Sequence, residues 1–150
     1  CLFEAAARIG GLLGKVSSEQ EQALQAYGKH LGIAFQLIDD ALDYSAKSAE
    51  LGKNVGDDLA EGKPTLPLIR AMEVGSESQQ QLIRNAIKSG EIEQFDEVRQ
   101  VIDDTGALQY TLDQAQAQAA AAKTAIATLD DSEYRQAMLF LADYAVERSY

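Results

Sequence analysis

Gln36, Asp39, Asp40 and Asp43 stand at positions i, i+3, i+4 and i+7 of the segment FQLIDDALDY. On an α-helix of about 3.6 residues per turn they share one face, within an arc of roughly 100°. Leu31, Ala34, Phe35, Ile38 and Leu42 cluster on the other side, so apolar packing should turn the carboxylates away from the core. Three carboxylates so close repel one another, and the obvious cation one turn away is Lys47, four residues after Asp43. A hard divalent cation would relieve that repulsion. Magnesium takes oxygen ligands, typically from one or two carboxylates, and fills its other positions with water and substrate phosphates. A bare Asp-Asp-x-x-Asp in an acidic chain equally describes an ordinary solvated face.

The next segment adds to the first reading. LGKNVGDDLAEGK, residues 51–63, sets Lys53 and Lys63 among Gly52, Gly56 and Gly62 directly beyond the acidic run. Spacing alone would leave both as solvated loop charges. A metal held by carboxylates beside flexible ammonium groups is also a sensible receptor for a diphosphate, because Lys acts on phosphate as an adaptable point charge. The net charge of -11, from 24 acidic residues against 13 Lys and Arg, would repel nucleic-acid phosphates and anionic lipid headgroups. A phosphorylated ligand therefore needs a cation between itself and these carboxylates.

The elements that must position these residues are helical. Ala, Leu, Gln and Glu dominate and β-branched alternation is absent, which predicts an all-α class. Ser18 with Glu21 reads as a capping box, opening a long helix over about 18–45. Upstream, Leu2, Ala5, Ile9, Leu12 and Leu13 recur at helical spacing. Downstream, helices are expected over 64–74, 77–89, 91–104, 107–128 and 132–148, with Pro64 starting the first and Ser76, Gly90, Gly106 and Asp130–Asp131 as punctuation. Residues 51–63 should form a loop or broken helix.

The 150 residues, 46% hydrophobic and 25% charged, suit one globular domain or part of one. The chain opens without Met and already inside a helical pattern, which is expected of a piece of a longer protein. One cysteine, Cys1, permits no internal disulfide and fits a reducing, cytoplasmic setting. No apolar run approaches the roughly 18 residues of a membrane span, and the opening residues lack a signal-peptide layout.

FQLIDDALDY followed by LGKNVGDDLAEGKPTLPLI resembles the second aspartate-rich region of the trans-isoprenyl diphosphate synthases, matching in order, spacing and residue type from Phe35 to Leu68. The upstream LFEAAARIGGLLGK resembles the helix preceding that region, and the wording is closest to the bacterial long-chain enzymes, the octaprenyl class in particular. The resemblance implies the C-terminal portion of an isoprenoid-synthase-type helical bundle, homodimeric when complete. It implies magnesium-dependent addition of isopentenyl diphosphate to an allylic diphosphate such as farnesyl diphosphate, giving a long all-trans chain for quinone side chains. Carried over by motif, Asp39 would be a magnesium ligand, with Asp40 and Asp43 supporting the metal and its waters. Lys53 and Lys63 would hold the allylic diphosphate, so that Asp39, Asp40 and Lys53 carry the catalytic roles. Gln36 would line the cavity near the reacting chain, Asp58 would order the metal and lysine shell, and Phe35 would support it.

A complete enzyme of this family has a further aspartate-rich motif and basic residues for isopentenyl diphosphate that this sequence does not contain, so the chain alone is expected to be inactive. Two other readings use the same residues: a non-catalytic helical subunit that modulates a catalytic partner, or a class I terpene cyclase, whose Asn/Ser/Glu metal triad GKNVGDDLAEGK fits poorly. His30 is expected to serve packing or the surface, Cys1 has no partner for a catalytic thiol, and the charge-poor AVERSY ending gives Arg148 no role. Tyr44, Tyr110, Tyr134, Tyr144 and Tyr150 are expected in the core. Asp103–Asp104 and Asp130–Asp131 read as helix ends.

Overall fold

Ser17 rather than Ser18 caps the long acidic helix. Its hydroxyl accepts the Gln20 backbone N–H at 3.2 Å, and the Gln20 side chain accepts the Ser17 N–H at 3.0 Å, so the capping box sits one residue earlier than expected. Glu21, the expected partner, instead takes the Arg8 guanidinium at 2.7 Å. The computed structural model describes residues 2–45, 56–90 and 92–147. They form α1 (Leu2–Leu13), α2 (Ser18–Leu42), α3 (Asp57–Ala60), α4 (Leu66–Val74), α5 (Glu77–Ser89), a 3-10 turn (Ile92–Gln94), α6 (Phe95–Asp104), α7 (Ala107–Ala125) and α8 (Glu133–Glu147). No strand occurs among the described residues. The all-α class is as expected.

Other departures from the expected boundaries follow from hydrogen bonding at the helix ends. Pro64 does not start a helix; α4 begins after Thr65 with Pro67 in its first turn, where a missing N–H has no intrahelical partner to lose. α5 spans the expected 77–89 between Ser76 and Gly90, and its start is a Ser76–Gln79 capping box. α7 ends about a turn early. There Ala127 and Leu129 donate to Thr124 and Ile126 in tight i→i+3 bonds, and the Arg135 guanidinium takes the Ile126 carbonyl at 3.1 Å.

The chain divides into two compact units. The first, Cys1–Ile38 with Gln114–Ser149, holds α1, most of α2, the later part of α7 and α8. Its core joins Tyr27 and Leu31 of α2 to Ala122 of α7, to Ile126 just beyond it, and to Ala142 and Ala145 of α8. α8 buries Ala142 and Ala145 and turns Phe140, Leu141 and Tyr144 outward. Tyr134 and Tyr144 are therefore exposed, at 76% and 49%, and not in the core as expected. His30 packs half-buried, its Nδ1 2.7 Å from Gln118 Oε1.

Tyr27 gives this unit a pH signature. It is 4% exposed, and its hydroxyl donates to the Met138 carbonyl at 2.8 Å. Burial pushes its pKa up to about 12 from an ordinary 10.0. A raised folded-state pKa contributes stability that is fully present below the unfolded value and lost as pH climbs through the folded one. Thermal midpoints should therefore fall between pH 10 and 12 by more in the parent than in Tyr27→Phe, with a gap of up to about 2 kcal/mol. Parallel pH profiles for the two proteins would show that the phenol does not titrate in this window.

The second unit, Asp39–Asp113, is built from the end of α2, α3 to α6, and the start of α7. Its core packs Leu59 of α3, Leu68 and Ala71 of α4, Ile83 and Ala86 of α5, and Val98 and Ile102 of α6. Tyr44 lies in it, 1% exposed and stacked on Phe95 with ring centroids 5.9 Å apart. Tyr110 lies half-buried under the Arg70 guanidinium, 4.5 Å from its ring centre, so the cation that its face meets is the protein's own. No helix among the described residues is long and apolar enough to cross a membrane.

Candidate functional site

Asp39, Asp40, Asp43, Asp58 and Lys63 all lie in the second unit. α2 brings Asp39 and Asp40 to its last turn and stops at Leu42, so Asp43 leaves the helix in a turn rather than continuing to residue 45. Asp39 is half-buried. Asp40 is buried, 7% exposed, which corrects the expectation that the acidic face turns wholly away from the core.

Asp43 faces back toward the start of α3. Its Oδ1 accepts the backbone N–H of Gly56 at 3.0 Å and of Asp57 at 3.3 Å, and its Oδ2 accepts that of Asp58 at 3.1 Å. These are donors that a helix's first turn leaves without intrahelical partners. Gly56 is required there on two counts. Its φ is +84°, and a Cβ would stand 2.7 Å from the Phe95 ring. Burial raises the Asp43 carboxyl above its ordinary range; the Asp58, Gly56 and Asp57 N–H groups pull it down and the Asp58 charge pushes it up.

α3 then delivers Lys63. Its backbone N–H closes on the Asp58 carbonyl at 2.9 Å, while its Nζ meets Asp58 Oδ1 at 2.7 Å and stands 4.0 Å from Asp40 Oδ1. The hydrogen bond to Asp58 raises the Lys63 pKa, helped by the charges of Asp58 and Asp40. The Lys63 side chain is 46% exposed, so it is both anchored and accessible. Beside this cluster are two groups that sequence reasoning gave no site role: the buried hydroxyls of Tyr44 and Thr65 neighbour one another without a well-aligned hydrogen bond. Burial pushes the Tyr44 phenol well up. Only the adjacency of Thr65 to the Lys63–Pro64 pair could have suggested it.

Gln36 and Phe35 belong to the first unit, where Gln36 is exposed and Phe35 packs on Phe3 with ring centroids 5.3 Å apart. Lys53 lies outside the described residues. Among the described residues no three Asp, Glu, His or Cys side chains converge into a metal cage. The donor set nonetheless suits a hard divalent cation such as magnesium: carboxylate oxygens on Asp39 and Asp40, with the Lys63 ammonium 4.0 Å from Asp40 Oδ1.

A sequence profile described as Polyprenyl synthetase matches residues 1–105. The octaprenyl diphosphate synthase of Haemophilus influenzae is 49% identical over 150 residues, covering 99% of this chain and 46% of that protein. Among solved structures, a decaprenyl diphosphate synthase from Rhodobacter capsulatus superposes with a TM-score of 0.91 at 40% identity, over 99% of this chain and 46% of that one. A polyprenyl synthase from Caulobacter crescentus, solved with calcium and isoprenyl diphosphate, gives 0.88 at 42% identity over the same shares. The chain thus spans about half the length of the curated relatives it matches.

Proposed function

Because the chain belongs to the polyprenyl synthetase family, we propose that the whole protein is a magnesium-dependent prenyltransferase. It joins isopentenyl diphosphate to an allylic diphosphate such as farnesyl diphosphate and repeats the step to a long all-trans polyprenyl diphosphate. The observation that carries this reading is the accessible Lys63 ammonium, held by Asp58 and set beside Asp40 where the acidic helix ends. The same reading makes the protein a cytoplasmic homodimer that supplies quinone side chains, with the likeness to the octaprenyl enzyme as its support.

In such a reaction the allylic C–O bond breaks and its electron pair leaves with the diphosphate. The isopentenyl double bond attacks the allylic cation, and loss of a proton restores an alkene. The obstacle is the charge of the leaving group, and fixed positive charge in a site closed to water lowers that barrier. Magnesium, when bound, supplies much of that neutralisation, with Asp39 as a ligand and Asp40 in support. Lys63 adds a cation whose proton Asp58 helps to hold, so its charge persists well above neutral pH. Lys53 is assigned to the same diphosphate. The exposed Gln36 amide is assigned to the cavity near the reacting chain, with Phe35 steadied on Phe3.

Incubating the complete protein with farnesyl diphosphate, labelled isopentenyl diphosphate and magnesium, and reading product length by chromatography, should give a ladder ending in a long-chain product. This chain alone, at about half its relatives' length, should give none. A complete, folded protein that extends no allylic primer would move the reading to a non-catalytic subunit.

A further inference from the structure

We infer that Asp43 acts as a positioning residue for Lys63, working through the Gly56–Lys63 turn, rather than as a carboxylate presented to a metal. This rests on the reading of Lys63 as a diphosphate-holding residue. Both Asp43 oxygens are engaged by backbone: Gly56 and Asp57 donate to Oδ1, and Asp58 donates to Oδ2. A carboxylate that gathers successive N–H groups fixes the direction in which that stretch of chain leaves.

The chain leaves toward Lys63 by a short route. Asp58, whose amide Asp43 holds, grips Lys63 twice, carbonyl to backbone N–H at 2.9 Å and carboxylate to ammonium at 2.7 Å. The turn is also confined by the Phe95 ring, which leaves Gly56 no room for a side chain. One ring and one carboxylate therefore decide where the ammonium stands. Without Asp43, the α3 amides would turn to water and Lys63 would sample positions from which the diphosphate is out of reach.

The test uses the complete protein and two readouts: calorimetric affinity for inorganic pyrophosphate with magnesium, and amide exchange of the peptide covering Gly56–Asp58. Asp43→Ala should speed exchange there and weaken pyrophosphate binding roughly tenfold, the effect of misplacing one charged hydrogen-bond partner. In a Lys63→Ala background the same substitution should cause no further loss. Asp43→Asn, which keeps one acceptor oxygen, should fall between and serves if the alanine variant does not fold. In prenyl transfer the allylic KM should rise while the half-saturating magnesium concentration stays put.

Undiminished pyrophosphate affinity, a loss that persists without Lys63, or a raised magnesium requirement with unchanged exchange would each overturn the inference. A wild-type protein that binds pyrophosphate through Asp43 and Lys63 yet makes no prenyl product would sink the functional reading and leave the positioning role standing.

Discussion

Asp39→Asn in the complete protein is expected to lower turnover roughly a hundredfold or more, the scale on which removing one preorganised charge-stabilising group acts. Asn has nearly the same shape as Asp, so α2 should keep its course. The Asp39 backbone carbonyl still accepts the Asp43 N–H at 3.2 Å, whatever the side chain carries. What changes is one negative charge at the last turn of the helix, next to the buried Asp40. A neutral amide is a poorer oxygen ligand for a hard dication. Turnover of labelled isopentenyl diphosphate at saturating magnesium measures the loss, and an unchanged helical circular dichroism spectrum and melting temperature isolate it from folding. Near-normal turnover would remove Asp39 from the metal shell.

Gly28→Ala should cause the largest loss of stability of any conservative change in the first unit. Gly28 is buried in the middle of α2, where Ala would ordinarily gain about 1 kcal/mol in helix propensity. Its added Cβ would stand 2.4 Å from the Phe3 carbonyl oxygen and 2.8 Å from the Glu4 Cα. Both are backbone atoms of α1, which cannot swing aside as a side chain can. α1 must move bodily, which also loosens the Gln25–Glu4 and Arg8–Glu21 contacts. A net loss of about 3 kcal/mol is expected, a fall of roughly 6–12 °C in the thermal midpoint for a domain of this size. Lys29→Ala, exposed on the same helix, should leave it unchanged. A midpoint for Gly28→Ala at or above the parent's would mean that α1 does not rest on α2 at this point.

What was legible in the sequence was chiefly what is decided within a few residues. Ser76 and Gly90 bound α5 as expected because both ends are settled by local hydrogen bonding, at the start a Ser76–Gln79 box. The start of α2 was ambiguous for the same reason: Ser17–Gln20 and Ser18–Glu21 are overlapping boxes of equal local merit. The choice falls to Arg8, a residue of another helix that draws Glu21 away. The end of α2 and the burial of Asp40 are also tertiary matters. Asp43 leaves the helix to meet amides at Gly56–Asp58, and the acidic face is covered where its helical angle alone leaves it open. In α8 Ala142 and Ala145 take the buried positions while Phe140, Leu141 and Tyr144 face outward, so hydrophobicity along one helix pointed Tyr134 and Tyr144 to the wrong side.

The bond between Asp43 and Gly56 closes a loop thirteen residues apart in the chain. Loop-closure entropy grows only slowly with length, by about 0.6 kcal/mol for each doubling. A span of that length costs only slightly more to close than one half as long, so the carboxylate-to-amide bond itself, and not the shortness of the span, fixes where Gly56 stands. Among relatives, then, the aspartate that opens the span and the glycine that closes it should change together or not at all.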